Sequence, residues 1–480
     1  MSDISSLNPK RVFHYFEKIS QIPRGSGNQD GISEFCENFA KEHSLDYYRD
    51  SANNVIIYKE ASSGYENSEP VVLQGHLDMV CQKTTDSDID FEKDSLKLYV
   101  DGDYLRAEGT TLGADDGIAV AMILSILEDK SIPHPPIEAV FTTDEEIGMI
   151  GAMKLDFSKI SGKKMVNIDS EEENILTVSC AGGSDFKITI PCGRQVVRGK
   201  LFKVTIRGLK GGHSGVMINA GRVNADILAG RILNHITDNF DVSLVKINGG
   251  DKGNAIPLFC EFEFVCEDFE NVYDNLRKYA DLVTEEICLR EPDVSIDISE
   301  CQMSEYECVD KESFEKLITS LSVLPNGVME MSSSIENLVE TSLNLGILET
   351  KENQITLHYT LRSNIMSALE FLEKRLLRFT KSFGLASETF GHYPAWEYCH
   401  NSKVQKLYSE IYRRHTGKDI KVCAIHAGLE CGVFASGIQD FDCISIGPDI
   451  HSIHTTEEKL SISSTKRIYE VILDFLEKSR

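Results

Sequence analysis

The sequence predicts an α/β protein: a mixed sheet flanked by helices, with an inserted α+β domain made of two β-α-β-β-α halves. Three observations predict it. Short apolar runs alternate with helical stretches up to about residue 185. From 186 to about 392 the pattern becomes longer strand-like segments, paired as hairpins between amphipathic helices. From Ser402 the first style returns. Alternating strands and helices build a sheet covered by helices on both faces. At 480 residues the chain is too long for one compact core, so more than one domain is expected.

Residues 53–58 and 70–73 read as strands. The stretch 116–128, DGIAVAMILSILE, reads as a helix that is apolar nearly all round and therefore buried. Pro135-Pro136 introduces a strand over 137–142, and 164–168 reads as another. Beyond residue 185, strands are expected at 186–191 and 201–207 and a helix at 221–235. A hairpin turns at Asp251-Lys252-Gly253 and returns over 259–265, followed by a helix at 269–288. The same order then recurs: a strand at 294–299, a helix at 311–321, a hairpin of 340–346 with 354–362, and a helix at 368–383. Helices at 402–415, 430–436 and 464–478 and a strand at 442–446 complete the chain. The expected organisation is one domain in two pieces, 1–185 and 393–480, interrupted by a domain at 186–392.

Lys and Arg number 49 against 76 Asp and Glu, a net charge of −27. That balance argues against nucleic acid or an anionic membrane as partner and favours cations, although most of it belongs to a solvated surface. The opening MSDISSLNPKRVFHYF has no apolar signal-peptide core, and no apolar run reaches membrane-spanning length. The 13 cysteines are scattered without a C-x-x-C pair, which reads as reduced thiols in a cytoplasmic protein.

Residues 71–80, VVLQGHLDMV, are a core strand that ends on an imidazole and a carboxylate. Period-two alternation points His76 and Asp78 the same way and Leu77 back to the core. The spacing suits a metal ligand and the carboxylate that orients it, or a plain ion pair at a strand end. GTTLGADDGIAVA places Asp115 and Asp116 before the buried helix, where Asp also serves as an N-cap. AVFTTDEEIGMIGA places Asp144, Glu145 and Glu146 after a strand, a position a solvated acidic turn would also occupy. MVNIDSEEEN ends a strand on Asp169, and CISIGPDIHSIHTTEE sets His451 and His454 after the last one. All lie just beyond carboxyl ends of strands, the edge where sites form in open α/β sheets. So many acids would repel one another unless cations were present. Two histidines with several carboxylates suit zinc, with manganese or cobalt as substitutes. The ligand number exceeds that of one zinc with an open position and fits two metals sharing a carboxylate.

These motifs, together with GLKGGHSG, GNAIP and HAGLECG, run from residue 75 to 458. They resemble the co-catalytic zinc peptidase family of aminoacylases, carnosinases, carboxypeptidases and succinyl-diaminopimelate desuccinylase, most closely its aminoacyl-histidine (Xaa-His) dipeptidase subgroup. The resemblance implies that His76 binds one metal, that Asp78 clamps its imidazole, and that Asp115 bridges both metals, with a cis peptide after it. Glu145 is then the general base, Glu146 a ligand, Asp169 a ligand beside His76, and His454 rather than His451 a ligand beside Glu146. Asp116 stands where the subgroup commonly has Asn. His213 in GLKGGHSG is expected to stabilise the oxyanion, and Arg362 in HYTLRSN to hold the substrate's terminal carboxylate. Asn254 in GNAIP is a substrate contact, and Glu430 in HAGLECG meets the substrate's free amine or holds the last helix. Plain readings stand beside these: a turn histidine among glycines, a strand-end surface arginine, a hairpin-turn Asn.

The resemblance also implies a zinc-peptidase-like fold with 186–392 as a lid, and two divalent metal ions, Zn2+ first, with Mn2+ or Co2+ possible. The reaction is hydrolysis of small dipeptides of the Xaa-His type by a metal-activated water. The chain is expected to be a monomer or homodimer, its long lid supplying His213 within one chain. A tripeptidase or N-acyl amino-acid hydrolase of the same family is the alternative, then a metal-dependent binding protein without catalysis. A serine hydrolase is disfavoured because no G-x-S-x-G elbow occurs.

Overall fold

The computed structural model describes residues 4–480. The chain divides into two compact units. One takes the chain up to Cys180 together with Tyr398–Ala424 and Leu429–Arg480; the other takes Ala181–Glu397 and Ile425–Gly428.

The first unit is built on an eight-stranded mixed sheet. Its central strands Ile137–Thr142, Val71–His76, Lys164–Asn167 and Asp442–Ser445 run parallel. Val55–Lys59 joins one side antiparallel, and Ile175–Cys180 the other. Every residue of Val71–His76 and Ile137–Thr142 is buried, as expected of parallel strands covered on both faces. The register is what matters for function. His76 lies opposite Thr142, and Gln74 and Ser445 both lie opposite Asn167. The strands therefore finish together, and the loops that follow them leave from one edge.

Helix Ala114–Glu128 packs on this sheet, buried at every position from Asp116 to Leu127, in keeping with its all-round apolar sequence. Its close approach explains Gly75: a Cβ there would stand 2.7 Å from that of Ala119. Asp115 and Asp116 depart from helical backbone angles, and the peptide between them is cis. A four-stranded sheet of Ile450–His451, Lys459–Ser461, Tyr104–Ala107 and Leu98–Asp101 ties the His454 loop to the segment leading into that helix. Its strands have two to four residues each, too short to show as periodicity in the sequence.

The second unit carries a nine-stranded sheet whose pairings are all antiparallel. Two β-α-β-β-α halves are present, but the strand expected to open the second, at 294–299, closes the first, while Gly182–Pro191 opens the second and Ala386–Tyr393 closes it. The first runs Arg194–Arg207, Ala225–Asn239, Ser243–Gly249, Cys260–Cys266, Phe269–Ile287 and Ser295–Val309. The second comprises Gly182–Pro191, Lys311–Val323, Val339–Thr350, Gln354–Ser363, Met366–Ser382 and Ala386–Tyr393. Each is a β-α-β-β-α-β unit with its first strand in an inner position, and the first half is inserted after the opening strand of the second. They join where Ser243–Gly249 pairs with Val339–Thr350.

Several elements differ in extent from the sequence expectation, among them the strand placed at 201–207, which begins at Arg194, and that placed at 340–346, which runs to Thr350. The helix placed at 221–235 begins at Ala225, because the Asn224 side chain accepts the N–H groups of Asp226 and Ile227 and caps it there. The strand placed at 294–299 continues to Val309. Its latter part is mostly exposed and acidic, and is held by pairing with Arg194–Arg207 rather than by an apolar face.

Candidate active site

In the first unit the loops leaving the carboxyl ends of the central strands converge. His76 Nε2 lies 3.1 Å from Asp115 Oδ1 and 3.6 Å from Asp169 Oδ1. His454 Nε2 lies 3.1 Å from the other Asp115 oxygen, Oδ2, and 2.9 Å from Glu146 Oε1. One carboxylate thus faces two imidazoles, one on each oxygen. His451 is elsewhere: it is exposed, paired with Lys459 and set against the Tyr104 ring.

Asp78 Oδ1 stands 3.4 Å from His76 Nδ1, an ion-pair approach rather than a hydrogen bond. Its oxygens also accept the main-chain N–H groups of Glu145 and Glu146 and the Ser26 hydroxyl. Asp78 therefore fixes the loop carrying both glutamates as well as facing the imidazole. Asp116 turns inward and accepts the His76 main-chain N–H at 3.1 Å, filling the space that Gly75 leaves. Where an Asn was expected, a buried carboxyl makes this bond instead.

The electrostatics ask for cations. Burial raises the Glu145 carboxyl well above the usual range, against the pull of His76, with Asp169, Glu430 and Glu146 adding to the rise. Burial likewise raises Asp116, Glu146 and Asp169. Hydrogen bonds to Asp115 and Glu146 lift His454 to about 10. For His76, burial opposes the charge, but Asp115, Asp169 and Asp78 outweigh it and raise it too. A cluster of six carboxyl groups and two imidazoles, buried around His76 and open at the exposed His454, with ligand atoms within 4.8 Å of one another in the sets His76/Asp116/Asp169 and His76/Asp115/Glu146, offers the donor types and spacing a divalent cation needs.

Glu430 is fully buried, and its Oε2 accepts from Gln74 and Thr142 on the two central strands. These bonds tie the start of helix Glu430–Gly437 to the two central strands, and Glu430 Oε1 is buried without a hydrogen-bond partner. The sequence reading passed over Gln74, Thr142 and Ser26, which look like ordinary strand and loop residues.

The second unit holds the remaining candidates. Gly212–His213 pairs with Ala255–Ile256, which fixes His213 next to Asn254. The Ser214 N–H also donates to the Asn254 main-chain carbonyl. Both side chains line a cavity of about 560 Å³ with Ile256, Pro257 and Phe259. His213 Nδ1 accepts the N–H groups of Gly215 and Val216, each at 3.2 Å. The proton must then sit on Nε2, leaving an outward N–H donor. Burial, then the nearby Arg362 charge, hold this imidazole below its usual pKa, so it stays neutral. Arg362 is 7% exposed, not a surface residue; one Nη donates to the Tyr393 hydroxyl at 2.7 Å, and its Nε is buried without a hydrogen-bond partner.

His426, the first residue of HAGLECG, received no role from the sequence. It is buried, accepts the Ser342 hydroxyl at 2.7 Å and lies 3.1 Å from Asn364 Oδ1. Burial, with Arg362 and His213 adding, drops it to about 3, so it is a neutral prop. Its carbonyl backs Gly215 in the His213 loop, leaving no room there for a Cβ.

Residues 72–478 match the family model of peptidase family M20/M25/M40. The chain belongs to this family. Over its whole length it is 36% identical to the cytosol non-specific dipeptidase of Escherichia coli K12, covering 99% of that protein. The crystal structure of aminoacylhistidine dipeptidase from Vibrio alginolyticus matches with a TM-score of 0.92 at 36% identity, covering 99% of this chain and 98% of that one. Aminopeptidase PepT from Bacillus cereus, at 15% identity and a TM-score of 0.56 over 98% of this chain and 99% of its own, shares the fold. No helix among the described residues is long and apolar enough to cross a membrane.

Proposed function

We propose that this M20 peptidase is a dipeptidase that works with two divalent cations, zinc first among them, and accepts Xaa-His among a range of dipeptides. The observation carrying this reading is Asp115, with one oxygen 3.1 Å from His76 and the other 3.1 Å from His454. His76, Asp115 and Asp169 would hold one cation, and His454, Asp115 and Glu146 the other. When bound, such cations polarise the scissile carbonyl and lower the pKa of a bound water toward ~7.

The chain's own groups do the rest. Glu145, with its proton affinity raised by burial, accepts the proton of the attacking water and returns it to the leaving amine. Asp78 keeps Glu145 and Glu146 in place through their main-chain N–H groups. His213 presents Nε2–H to the developing oxyanion. Arg362, already buried with an unused Nε–H, pairs with the substrate's terminal carboxylate. Asn254 contacts the substrate beside His213.

The test is release of free amino acids from Xaa-His and other dipeptides, against tripeptides and N-acyl amino acids, with and without chelator. Chelator-sensitive cleavage confined to dipeptides supports the reading. Preference for tripeptides or N-acyl amino acids replaces the substrate class, and cleavage indifferent to chelator overturns the cation requirement.

A further inference from the structure

Glu458 lies four residues beyond His454 and is 3% exposed, yet no step described so far uses it. Its carboxylate accepts main-chain N–H groups from four consecutive residues. Leu112 at 2.7 Å and Gly113 at 3.0 Å meet Oε2; Ala114 at 2.8 Å and Asp115 at 3.5 Å meet Oε1. Helix Ala114–Glu128 starts without a side-chain cap from its own N-cap residue, Gly113. A carboxylate from the far end of the chain satisfies these donors instead, through charge-assisted bonds.

Arg24 complements it. This residue is 2% exposed, and its charge interacts favourably with that of Glu458. Its guanidinium donates to the carbonyls of Leu77 and Asp78, each at 2.9 Å, and to the Gly113 carbonyl. One buried cation therefore grips the strand end bearing His76 and Asp78 and also the loop bearing Asp115. A Cβ at Gly113 or at Gly117 would stand 2.5 Å from Arg24 Nη2. The glycines bracketing the two aspartates of GADDG make room for this guanidinium.

We propose that Glu458 and Arg24 are positioning residues, holding Asp115 and the His76 strand end at the separation two divalent cations require. The proposal rests on the two-cation reading and assigns these residues an action through main-chain bonds alone.

The test is Zn2+ affinity of the cation-free protein, measured by competition with a chromophoric chelator. Glu458→Gln keeps the shape but turns one oxygen into a donor facing two N–H groups. The expected result is ~10–100-fold weaker Zn2+ binding with an unchanged circular dichroism spectrum. Glu138→Gln is the comparison. Glu138 is also buried and accepts main-chain N–H groups, from Ser161 and Gly162, near the other end of strand Ile137–Thr142. It is expected to leave Zn2+ affinity unchanged. Unaltered affinity in Glu458→Gln overturns the proposal, and so does an equal loss in both variants, which would mark general loosening. Should Glu458→Gln not fold, Arg24→Lys keeps the charge but cannot span the three carbonyls, and unaltered affinity there overturns the proposal equally. Absence of Zn2+ binding by the unsubstituted protein refutes the two-cation reading itself, which separates the two failures.

Discussion

Replacing Asp115 with Asn tests the bridging carboxylate directly. Asp115 faces His76 and His454 with one oxygen each, both at 3.1 Å. The substitution keeps one oxygen, replaces the other with a donor and removes the charge. Loss of a single partner around a metal ligand typically costs ~10–100-fold in affinity. Removing the charge and one oxygen of a carboxylate that faces both imidazoles is expected to cost at least as much, ~10²-fold, or about 2.8 kcal/mol at ~1.4 kcal/mol per decade. Equilibrium dialysis with metal analysis should show the cation content fall from two per chain to one or none at micromolar free Zn2+, with dipeptide hydrolysis lost alongside. A second readout needs no cation. His454 is raised to about 10 first by its hydrogen bond to Asp115 and then by Glu146. In the cation-free protein the stabilisation from this pairing is complete below the unfolded histidine's pKa, ~6.5, and fades as pH rises through about 10. Asp115→Asn should move the His454 midpoint downward in an NMR titration. A variant that keeps two cations, full hydrolysis and the original midpoint would refute the bridging role.

Three other substitutions have definite expected outcomes. Arg362→Lys should raise KM about tenfold or more with a smaller change in kcat, because a point charge cannot replace a bidentate fork; steady-state kinetics on one dipeptide checks this. His213→Ala should lower kcat by ~10²–10³ while cation content stays unchanged, since its proposed role is to donate to the reacting oxygen alone. Asp226 is buried with neither oxygen hydrogen-bonded to nitrogen or oxygen, and burial pushes its carboxyl up to about 8. The folded state thus holds a proton that the unfolded state releases near pH ~4, so Asp226 lowers stability progressively from there to about 8. Asp226→Asn should raise the midpoint of denaturant unfolding at pH 7.5 and give no gain at pH 4; equal effects at both would count against this account.

The legible parts of the fold are those where burial dictates composition. Parallel strands covered on both faces had to be continuous apolar runs, and helix Ala114–Glu128, enclosed by core, had to be apolar all round. Strand Ser295–Val309 was half invisible because an exposed, acidic edge strand held by main-chain pairing carries no periodic signal. The interleaved arrangement of the two halves of the second unit was hidden too, since strand order is decided by which backbones pair. Among the site residues, His76, Asp169 and the stretches holding Asp115, Glu146 and His454 could be marked because imidazoles and acids just past buried strand ends are costly unless they serve a purpose; the family resemblance, not the spacing, chose among neighbouring residues. Arg362 could not be told from a surface arginine, and His426 drew no notice, because its partners Ser342 and Asn364 lie 84 and 62 residues away.

Residue chemistry and local spacing were thus written in the chain: which strands end on ligand-type side chains and which helix is enclosed. Folding alone decided the rest. Only the parallel strands and the separate four-stranded sheet together bring Asp115 between two imidazoles that stand 378 positions apart in the chain. Only packing lets Glu458 reach back to four N–H groups near residue 113. Local sequence constrains a few neighbouring dihedrals and which face is apolar, whereas contacts at long separation follow from how buried surfaces and unpaired polar groups find partners throughout the chain.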